Sequence, residues 1–310
     1  MRRTRRRAGV LLAAALLLTG CTASGNDARP GRERTTVAPS RSSAPFAAGS
    51  PAYAHYVALG DSFSAGPLIP TTDLAGGCAR SDHNYASLVA RELGVDEFTD
   101  ATCSGATTRD LTRPQHPFEG STVPPQLASL TRETDLVTIG IGGNDLNLYV
   151  TLVRTCTRLR AQDPQGSPCA RQLATVGPDL GVATGRIADN VARSLRAVRE
   201  RAPDAQVVLV GYLRLVPDRG TCAALPLATG DYVEGRRISV ALNSALERAA
   251  RRTHVRFVDA YALSRGHDIC SADPWVNGRF TDRQRALAYH PFAEGMRAVA
   301  DGVLDTLRRR

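Results

Sequence analysis

The alternation of two apolar periodicities after residue 55 most constrains the fold of this chain. Short apolar runs typical of β-strands recur between longer stretches whose apolar residues stand at helical spacing. Strands that alternate with helices pair in parallel, and the helices then cover both faces of the sheet. The pattern therefore predicts a three-layer α/β/α domain with a central, mostly parallel five-stranded sheet. The predicted strands span residues 56–60, 98–102, 136–141, 207–212 and 255–258.

Glycine-rich and polar motifs follow three of these strands and open the last predicted helix. They are Gly60-Asp61-Ser62, Cys103-Ser104-Gly105-Ala106, Gly142-Gly143-Asn144-Asp145 and His290-Pro291. Ligands of open α/β sheets bind outside the carboxyl ends of the strands. We therefore expect the four motifs to meet at one edge of the sheet.

The residue types in these motifs suit acyl transfer. A serine hydroxyl becomes a good nucleophile when an imidazole takes its proton, so Ser62 and His290 are the candidate pair. Acyl transfer also needs hydrogen-bond donors for the developing oxyanion. The backbone N–H groups of Ser62 and Gly105 and the side-chain amide of Asn144 are the candidate donors.

Other chemistries are disfavoured by the sequence. All 39 basic residues are arginine, which excludes a Schiff-base lysine. No CxxC or HExxH spacing supports a zinc site, and no GxSxG motif supports an α/β-hydrolase nucleophile elbow. Ser64 and Ser104 are interpreted as turn residues, and His267 is the rival to His290 as the base.

The ordered motifs resemble those of the SGNH hydrolase superfamily, also called GDSL esterases and lipases. The match covers about residues 55–305, and the sequence from Cys103 to Thr108 is similar to the corresponding segment of secreted bacterial lipases and phospholipases. The resemblance implies a serine carboxylic ester hydrolase that works through an acyl-enzyme with no metal or organic cofactor. The same machinery would also serve a carbohydrate O-acetyl esterase. A non-catalytic surface-binding module on a flavodoxin-like scaffold is the alternative from another class.

One departure from the family pattern concerns the group that orients His290. Family members commonly place an aspartate three residues before the histidine, but Leu287 stands there in this chain. Some similar members use a main-chain carbonyl instead, so we expect the Leu287 carbonyl to accept from Nδ1. Asp282 is the alternative third member of a triad.

The seven cysteines divide into one near the N-terminus and six in the body. An even set in an exported protein indicates disulfides, but six cysteines allow 15 pairings. Our hypothesis is sequential pairing, which closes three local excursions and agrees with the pairing that the family resemblance implies. The pairs would be Cys78–Cys103, Cys156–Cys169 and Cys222–Cys270.

The first 52 residues predict export rather than a folded domain. Arginines 2–7 and the apolar run 8–18 are typical of a secretory signal, and Leu18-Thr19-Gly20-Cys21 resembles a bacterial lipobox. This predicts a signal peptide (1–21), a flexible tether (22–52) and a hydrolase domain (53–310), lipid-anchored through Cys21 outside the cytoplasmic membrane. An ordinary signal with a chance cysteine is the alternative.

The net charge of +9 lies mostly in this N-terminal segment. Residues 1–50 carry a net charge of +7, which leaves +2 for the other 260 residues. A nearly neutral body gives no support to nucleic-acid binding. We expect a monomer that acts on an ester substrate and meets the membrane only through its lipid anchor.

Overall fold

The computed structural model describes residues 53–117, 120–176 and 179–309. The predicted signal peptide (1–21) with Cys21, and the predicted tether (22–52), lie outside the described residues. Within the described ranges, no helix is both long and apolar enough to cross a membrane.

Five parallel strands form the central sheet, as the apolar runs predict. Its order is Glu97–Asp100, His55–Gly60, Leu136–Gly140, Gln206–Val210 and Arg256–Val258. Of these five strands, the one that comes first in the chain therefore lies between the next two, as in flavodoxin-like folds. Two shorter strands, which the sequence did not predict, form a separate antiparallel ladder. The strands are β1 (His55–Gly60), β2 (Thr72–Asp73), β3 (Arg80–Ser81), β4 (Glu97–Asp100), β5 (Leu136–Gly140), β6 (Gln206–Val210) and β7 (Arg256–Val258).

Three of the sheet strands end earlier than predicted, β4 and β6 by two residues and β5 by one. After β4, the N–H groups of Ala101 and Cys103 still donate to the carbonyls of Ala58 and Gly60 on β1 at 2.9 and 3.0 Å, while the N–H of Thr102 donates to the Asp100 carboxylate at 2.9 Å. After β6, the N–H of Tyr212 donates to Asn243 Oδ1 at 2.9 Å rather than to a neighbouring strand.

Helices cover both faces of the sheet. The strand β5 is buried along its whole length, as a central parallel strand must be when both faces are packed. Helices α6 (Leu180–Arg201) and α7 (Asp231–Thr253) pack together, and α2 (Tyr85–Leu93) packs against α9 (Ala293–Arg308). The right-handed rule for parallel crossovers places these two pairs on opposite faces, because α2 and α6 lead to opposite edges of the sheet. The helices are α1 (Ser62–Ala65), α2 (Tyr85–Leu93), α3 (Leu148–Val150), α4 (Thr157–Leu159), α5 (Pro168–Val176), α6 (Leu180–Arg201), α7 (Asp231–Thr253), α8 (Ala260–Leu263) and α9 (Ala293–Arg308).

Three disulfides join the six body cysteines in sequential pairs. Cys78–Cys103 ties the β2–β3 ladder to the segment after β4, and Cys222–Cys270 links two loops 48 residues apart. Cys156–Cys169 joins the residue before α4 to the first turn of α5. All three cross-link connections rather than sheet strands, so they hold the loops that surround the carboxyl edge of the sheet.

The turn after β1 depends on a glycine. Gly60 has φ of +151°, and a Cβ added to it would lie 2.6 Å from the carbonyl oxygen of Gly140. The side chain of Gln126 also clamps this residue, accepting from its N–H at 2.8 Å and donating to its carbonyl at 2.9 Å. The chain therefore leaves the sheet at a fixed point, immediately before Asp61 and Ser62.

Candidate active site

Ser62 is the first residue of α1 and follows β1 by a single intervening residue. Asp61 caps this short helix, because its carboxylate accepts from the N–H of Phe63 at 2.9 Å. The Asp61 carbonyl accepts from the N–H groups of Ser64 and Ala65 at 3.0 and 2.9 Å. The serine is thereby held in a tight turn at the carboxyl edge of the sheet, and its side chain lines a cleft.

His290 lies next to this serine although 228 residues separate the two in the chain. The distance from Ser62 Oγ to His290 Nε2 is 2.8 Å. On the other side of the ring, Nδ1 lies 2.7 Å from the carbonyl oxygen of Ala288. A carbonyl can only accept, so Nδ1 carries the proton of the neutral ring and Nε2 accepts from the serine hydroxyl. This is the tautomer that a general base for Ser62 requires.

The carbonyl that orients His290 is that of Ala288, so the prediction of Leu287 was wrong. Tyr289 adopts a left-handed conformation with φ of 62°, which turns the chain so that the Ala288 carbonyl faces the ring. The Leu287 carbonyl instead accepts from the backbone N–H of His290 at 3.1 Å.

The Asp282 alternative was wrong as well. This carboxylate accepts from the backbone N–H of Gln284 at 2.9 Å, and the Asp282 backbone pairs with that of Ala286. The contact of His290 Nδ1 is with the Ala288 carbonyl, so a Ser–His dyad with a main-chain orienter describes the geometry, rather than a triad with a carboxylate.

Burial keeps the imidazole of His290 neutral. The ring packs beside Phe63, with ring centroids 5.4 Å apart. Desolvation lowers the pKa of His290 from 6.5 to about 4, and the hydrogen bond to the Ala288 carbonyl opposes this only partly. At neutral pH the ring is therefore ready to accept a proton.

The three predicted oxyanion donors line the same cleft as the dyad. Among the described residues, the N–H groups of Ser62 and Gly105 donate no backbone hydrogen bond. Gly105 has φ of +79°, a conformation that favours glycine. One hydrogen of the Asn144 amide is directed to the Ala106 carbonyl at 2.9 Å, which fixes the amide and leaves its second hydrogen for a ligand.

Asp145 joins two of the predicted motifs. Its buried carboxylate accepts from the N–H and the hydroxyl of Thr108 at 2.8 and 2.5 Å, and from Asn190 Nδ2 at 2.9 Å. The segment that carries Gly105 and the segment that carries Asn144 are therefore held together beneath the cleft.

Sequence reasoning missed one residue that contacts two of the motifs. The Tyr212 hydroxyl hydrogen-bonds to the Asp61 carboxylate and accepts from the N–H of Gly143 at 2.7 Å. Asp61 is 1% exposed, and this burial raises its pKa to about 7 against the opposing effect of its hydrogen bonds. The position of Tyr212 at the end of a predicted strand was the available signal.

The rival candidates have other contacts. His267 stacks on Trp275 with ring centroids 3.9 Å apart, and its Nδ1 lies 2.8 Å from the Asp273 carbonyl. Ser64 Oγ donates to the Gly140 carbonyl at 3.3 Å, whereas Ser104 lines the cleft. In the part of the chain that the structure describes, no group of His, Cys, Asp and Glu side chains is arranged to hold a metal ion.

The cleft above the dyad has a volume of about 970 Å³. Apolar side chains line it on the segment from Tyr149 to Val153 and at Leu215 and Phe63, while Arg109 and Arg154 supply positive charge. A volume at the upper end of the range for small-molecule sites accommodates a ligand much larger than an acetyl ester.

Comparison with known proteins points to one family. Residues 58–298 match the model of the GDSL-like lipase/acylhydrolase family. The chain is 38% identical over 262 residues to Lipase 2 of Streptomyces coelicolor, covering 81% of this chain and 85% of that one. It is 31% identical over 241 residues to a lipase of Streptomyces rimosus, covering 77% of this chain and 81% of that one.

Two solved structures share the fold at 29% sequence identity. The phospholipase A1 of Streptomyces albidoflavus superposes with a TM-score of 0.64, over 83% of this chain and 98% of that one. The extracellular lipase of Streptomyces rimosus superposes with a TM-score of 0.65, over 82% of this chain and 98% of that one. The non-catalytic alternative is therefore set aside. The chain belongs to the GDSL-like lipase/acylhydrolase family and is a carboxylic ester hydrolase.

Proposed function

We propose that Ser62 is the nucleophile and His290 the general base and acid of this hydrolase. The observation that carries the proposal is the 2.8 Å contact between Ser62 Oγ and His290 Nε2, with Nδ1 held by the Ala288 carbonyl. His290 takes the serine proton as Oγ attacks the ester carbonyl, and returns it to the departing alcohol oxygen. Water then attacks the acyl-enzyme with the same base, which releases the acid and restores Ser62.

The oxyanion of each tetrahedral intermediate is assigned to three donors. They are the N–H groups of Ser62 and Gly105 and the free amide hydrogen of Asn144, all at the edge of one cleft. Donors fixed before the reaction stabilise the developing charge without reorganisation, and loss of one donor typically lowers kcat by roughly a hundredfold to a thousandfold.

The substrate class we propose is a lipid ester with a medium or long acyl chain. The cleft volume of about 970 Å³ and its apolar wall support this, because an acetyl group would leave most of that surface uncovered. The similar proteins named lipase and phospholipase A1 agree with it. A carbohydrate O-acetyl esterase is distinguished by a preference for acetylated glycans over longer acyl esters.

The location we propose is the outer face of the cytoplasmic membrane, with the hydrolase exported as a monomer and anchored by diacylated Cys21. The signal-like sequence and the three disulfides support export, since disulfides persist in oxidising compartments. Radiolabelled fatty acid should enter the wild-type protein but not Cys21→Ser. Light scattering of the purified protein tests the monomer, and a dimer mass contradicts it.

The catalytic assignment is tested by covalent labelling. An active-site-directed organophosphonate should modify the purified protein at Ser62, and Ser62→Ala should abolish both labelling and ester turnover. Ser64→Ala is the matched control, because Ser64 lies in the same short helix but its Oγ bonds to the Gly140 carbonyl. Turnover that persists in Ser62→Ala, or labelling at another serine, would refute the assignment.

The substrate class is tested with a panel. Chromogenic esters of increasing acyl length, a triglyceride emulsion, phospholipid vesicles and an acetylated xylan are compared at equal enzyme concentration. We expect kcat/KM to rise from acetyl to octanoyl esters. Highest activity on the acetylated glycan would overturn the lipid-ester proposal while leaving the Ser62–His290 assignment intact.

A further inference from the structure

Tyr212 is a buried tyrosine whose hydroxyl bridges two motifs of the site. It lies two residues after β6 and is 2% exposed. The N–H of Gly143 lies 2.7 Å from the phenolic oxygen, and a backbone N–H can only donate. The phenol therefore has its own proton available for the Asp61 carboxylate, to which it donates. One hydroxyl thus joins the residue before Ser62 to the residue before Asn144.

The tyrosine is itself fixed at its backbone and around its ring. Its N–H donates to Asn243 Oδ1, an atom presented by α7, at 2.9 Å. Its ring packs against those of Phe63 and Tyr149, each with a centroid 5.2 Å away. A Cβ added to Gly143 would lie 2.8 Å from the tyrosine ring, so the glycine and the ring are in close contact. The bridge is therefore anchored in the core.

Loss of the hydroxyl would leave two buried groups without a partner. One oxygen of the Asp61 carboxylate accepts from the N–H of Phe63, and the other accepts from Tyr212. Without the phenol, that second oxygen lacks its donor and the N–H of Gly143 lacks its acceptor. Buried unpaired groups are costly, so the two segments would shift or admit water to satisfy them. Either response changes the separation of Ser62 from Asn144.

We propose that Tyr212 is a positioning residue that holds the Ser62 nucleophile at its working distance from the Asn144 amide. The inference rests on the proposed function, since it takes Ser62 as nucleophile and Asn144 as an oxyanion donor. Tyr212 acts through Asp61 and Gly143 and takes no part in bond making. Its effect therefore belongs to the transition state, where the oxyanion forms, rather than to binding of the ester.

The test is a kinetic comparison of two Tyr→Phe variants. We expect Tyr212→Phe to lower kcat by roughly 10- to 100-fold with KM changed less than threefold, because a displacement of about 1 Å in a site can cost about a hundredfold. Tyr56→Phe is the control: this tyrosine is equally buried, and its hydroxyl lies 2.7 Å from Thr138 Oγ1 near the start of β1. It should lower the melting temperature and leave kcat unchanged. A kcat of Tyr212→Phe within twofold of wild type would overturn the proposal.

Asp61→Asn tests the same bridge from its other end. An amide nitrogen in place of the carboxylate oxygen cannot accept from the phenol, so this variant should also lower kcat at nearly constant KM. The double variant Asp61→Asn/Tyr212→Phe should have a kcat no lower than that of the slower single variant, because both substitutions break the same hydrogen bond between Tyr212 and Asp61.

The other possible results separate the Tyr212 bridge from the assignment of Ser62 as the nucleophile. If Tyr212→Phe does not fold, an unaltered kcat in Asp61→Asn overturns the proposal. Fully multiplicative losses in the double variant also overturn it, since they show two independent effects. A wild-type protein that is neither labelled at Ser62 nor active on esters refutes the proposed function itself. An active, labelled wild type with unaltered variants refutes only the bridge.

Discussion

The low pKa of His290 makes the acid limb of the pH profile a direct test of the site. Desolvation is the main cause of the shift from 6.5 to about 4, and the opposing contribution comes from the Ala288 carbonyl. The perturbation is a change of pH alone, with no substitution. Activity requires the neutral ring, so kcat/KM should follow the deprotonated fraction of His290 in the free enzyme.

The expected magnitude follows from that fraction. At pH 5 a histidine with a pKa of about 4 is about 90% neutral, whereas one with a pKa of 6.5 is only about 3% neutral. The partly buried, desolvated ring of His290 should therefore retain roughly thirty times more activity at pH 5 than a fully solvated ring would. The same shift also makes the folded protein less stable as pH falls from about 6.5 to about 4, because the folded state binds this proton more weakly.

The assay is kcat/KM for a neutral, soluble ester between pH 3.5 and 8, measured by chromatography of the released alcohol, with circular dichroism to confirm folding at each point. The expected half-activity lies near pH 4. Protonation of Asp61 near pH 7 should alter the rate only modestly, because a protonated carboxyl keeps an oxygen that can accept from Tyr212. A half-activity near pH 6.5 in a fully folded protein would refute the argument from burial.

Three further predictions concern the supports of the site. Asp145→Ala should lower the free energy of unfolding by about 3 kcal/mol in urea titrations, because three half-buried donors lose a buried, charged acceptor. A loss below about 1 kcal/mol contradicts this. Gln126→Leu should lower the free energy of unfolding by about 2 kcal/mol and reduce kcat, because Gly60 loses two hydrogen bonds. Thermal unfolding and ester turnover measure the two effects, and unchanged stability would show that these hydrogen bonds are dispensable. Replacing Cys222 and Cys270 by serine should lower the free energy of unfolding by about 4 kcal/mol, because the unfolded chain regains the entropy of a loop spanning 48 residues. A reductant should then destabilise the variant less than the wild type, and equal destabilisation of the two proteins would contradict the prediction.

The strands and the order of motifs could be predicted because they depend on consecutive residues. The central run 136–140 contains no charged residue and is apolar except for Thr138, which is close to the pattern of a strand buried on both faces, and β5 is buried throughout. Ends of strands were less predictable. Strand β6 ends at Val210 rather than at residue 212, because Asn243 from a distant helix takes the N–H of Tyr212.

The residues able to do the chemistry were recognisable from the amino-acid sequence, whereas the contacts between their atoms depend on the folded chain. Ser62 and His290 were identifiable from residue type and position at predicted element ends. The orienting Ala288 carbonyl was not, because it depends on the left-handed conformation of Tyr289. The Tyr212 bridge was not either, since its partners Asp61 and Gly143 come from separate strand ends. Periodicity depends on neighbours along the chain, whereas hydrogen-bond partners 69 to 228 residues apart are set only when the sheet brings the ends of its strands to one edge.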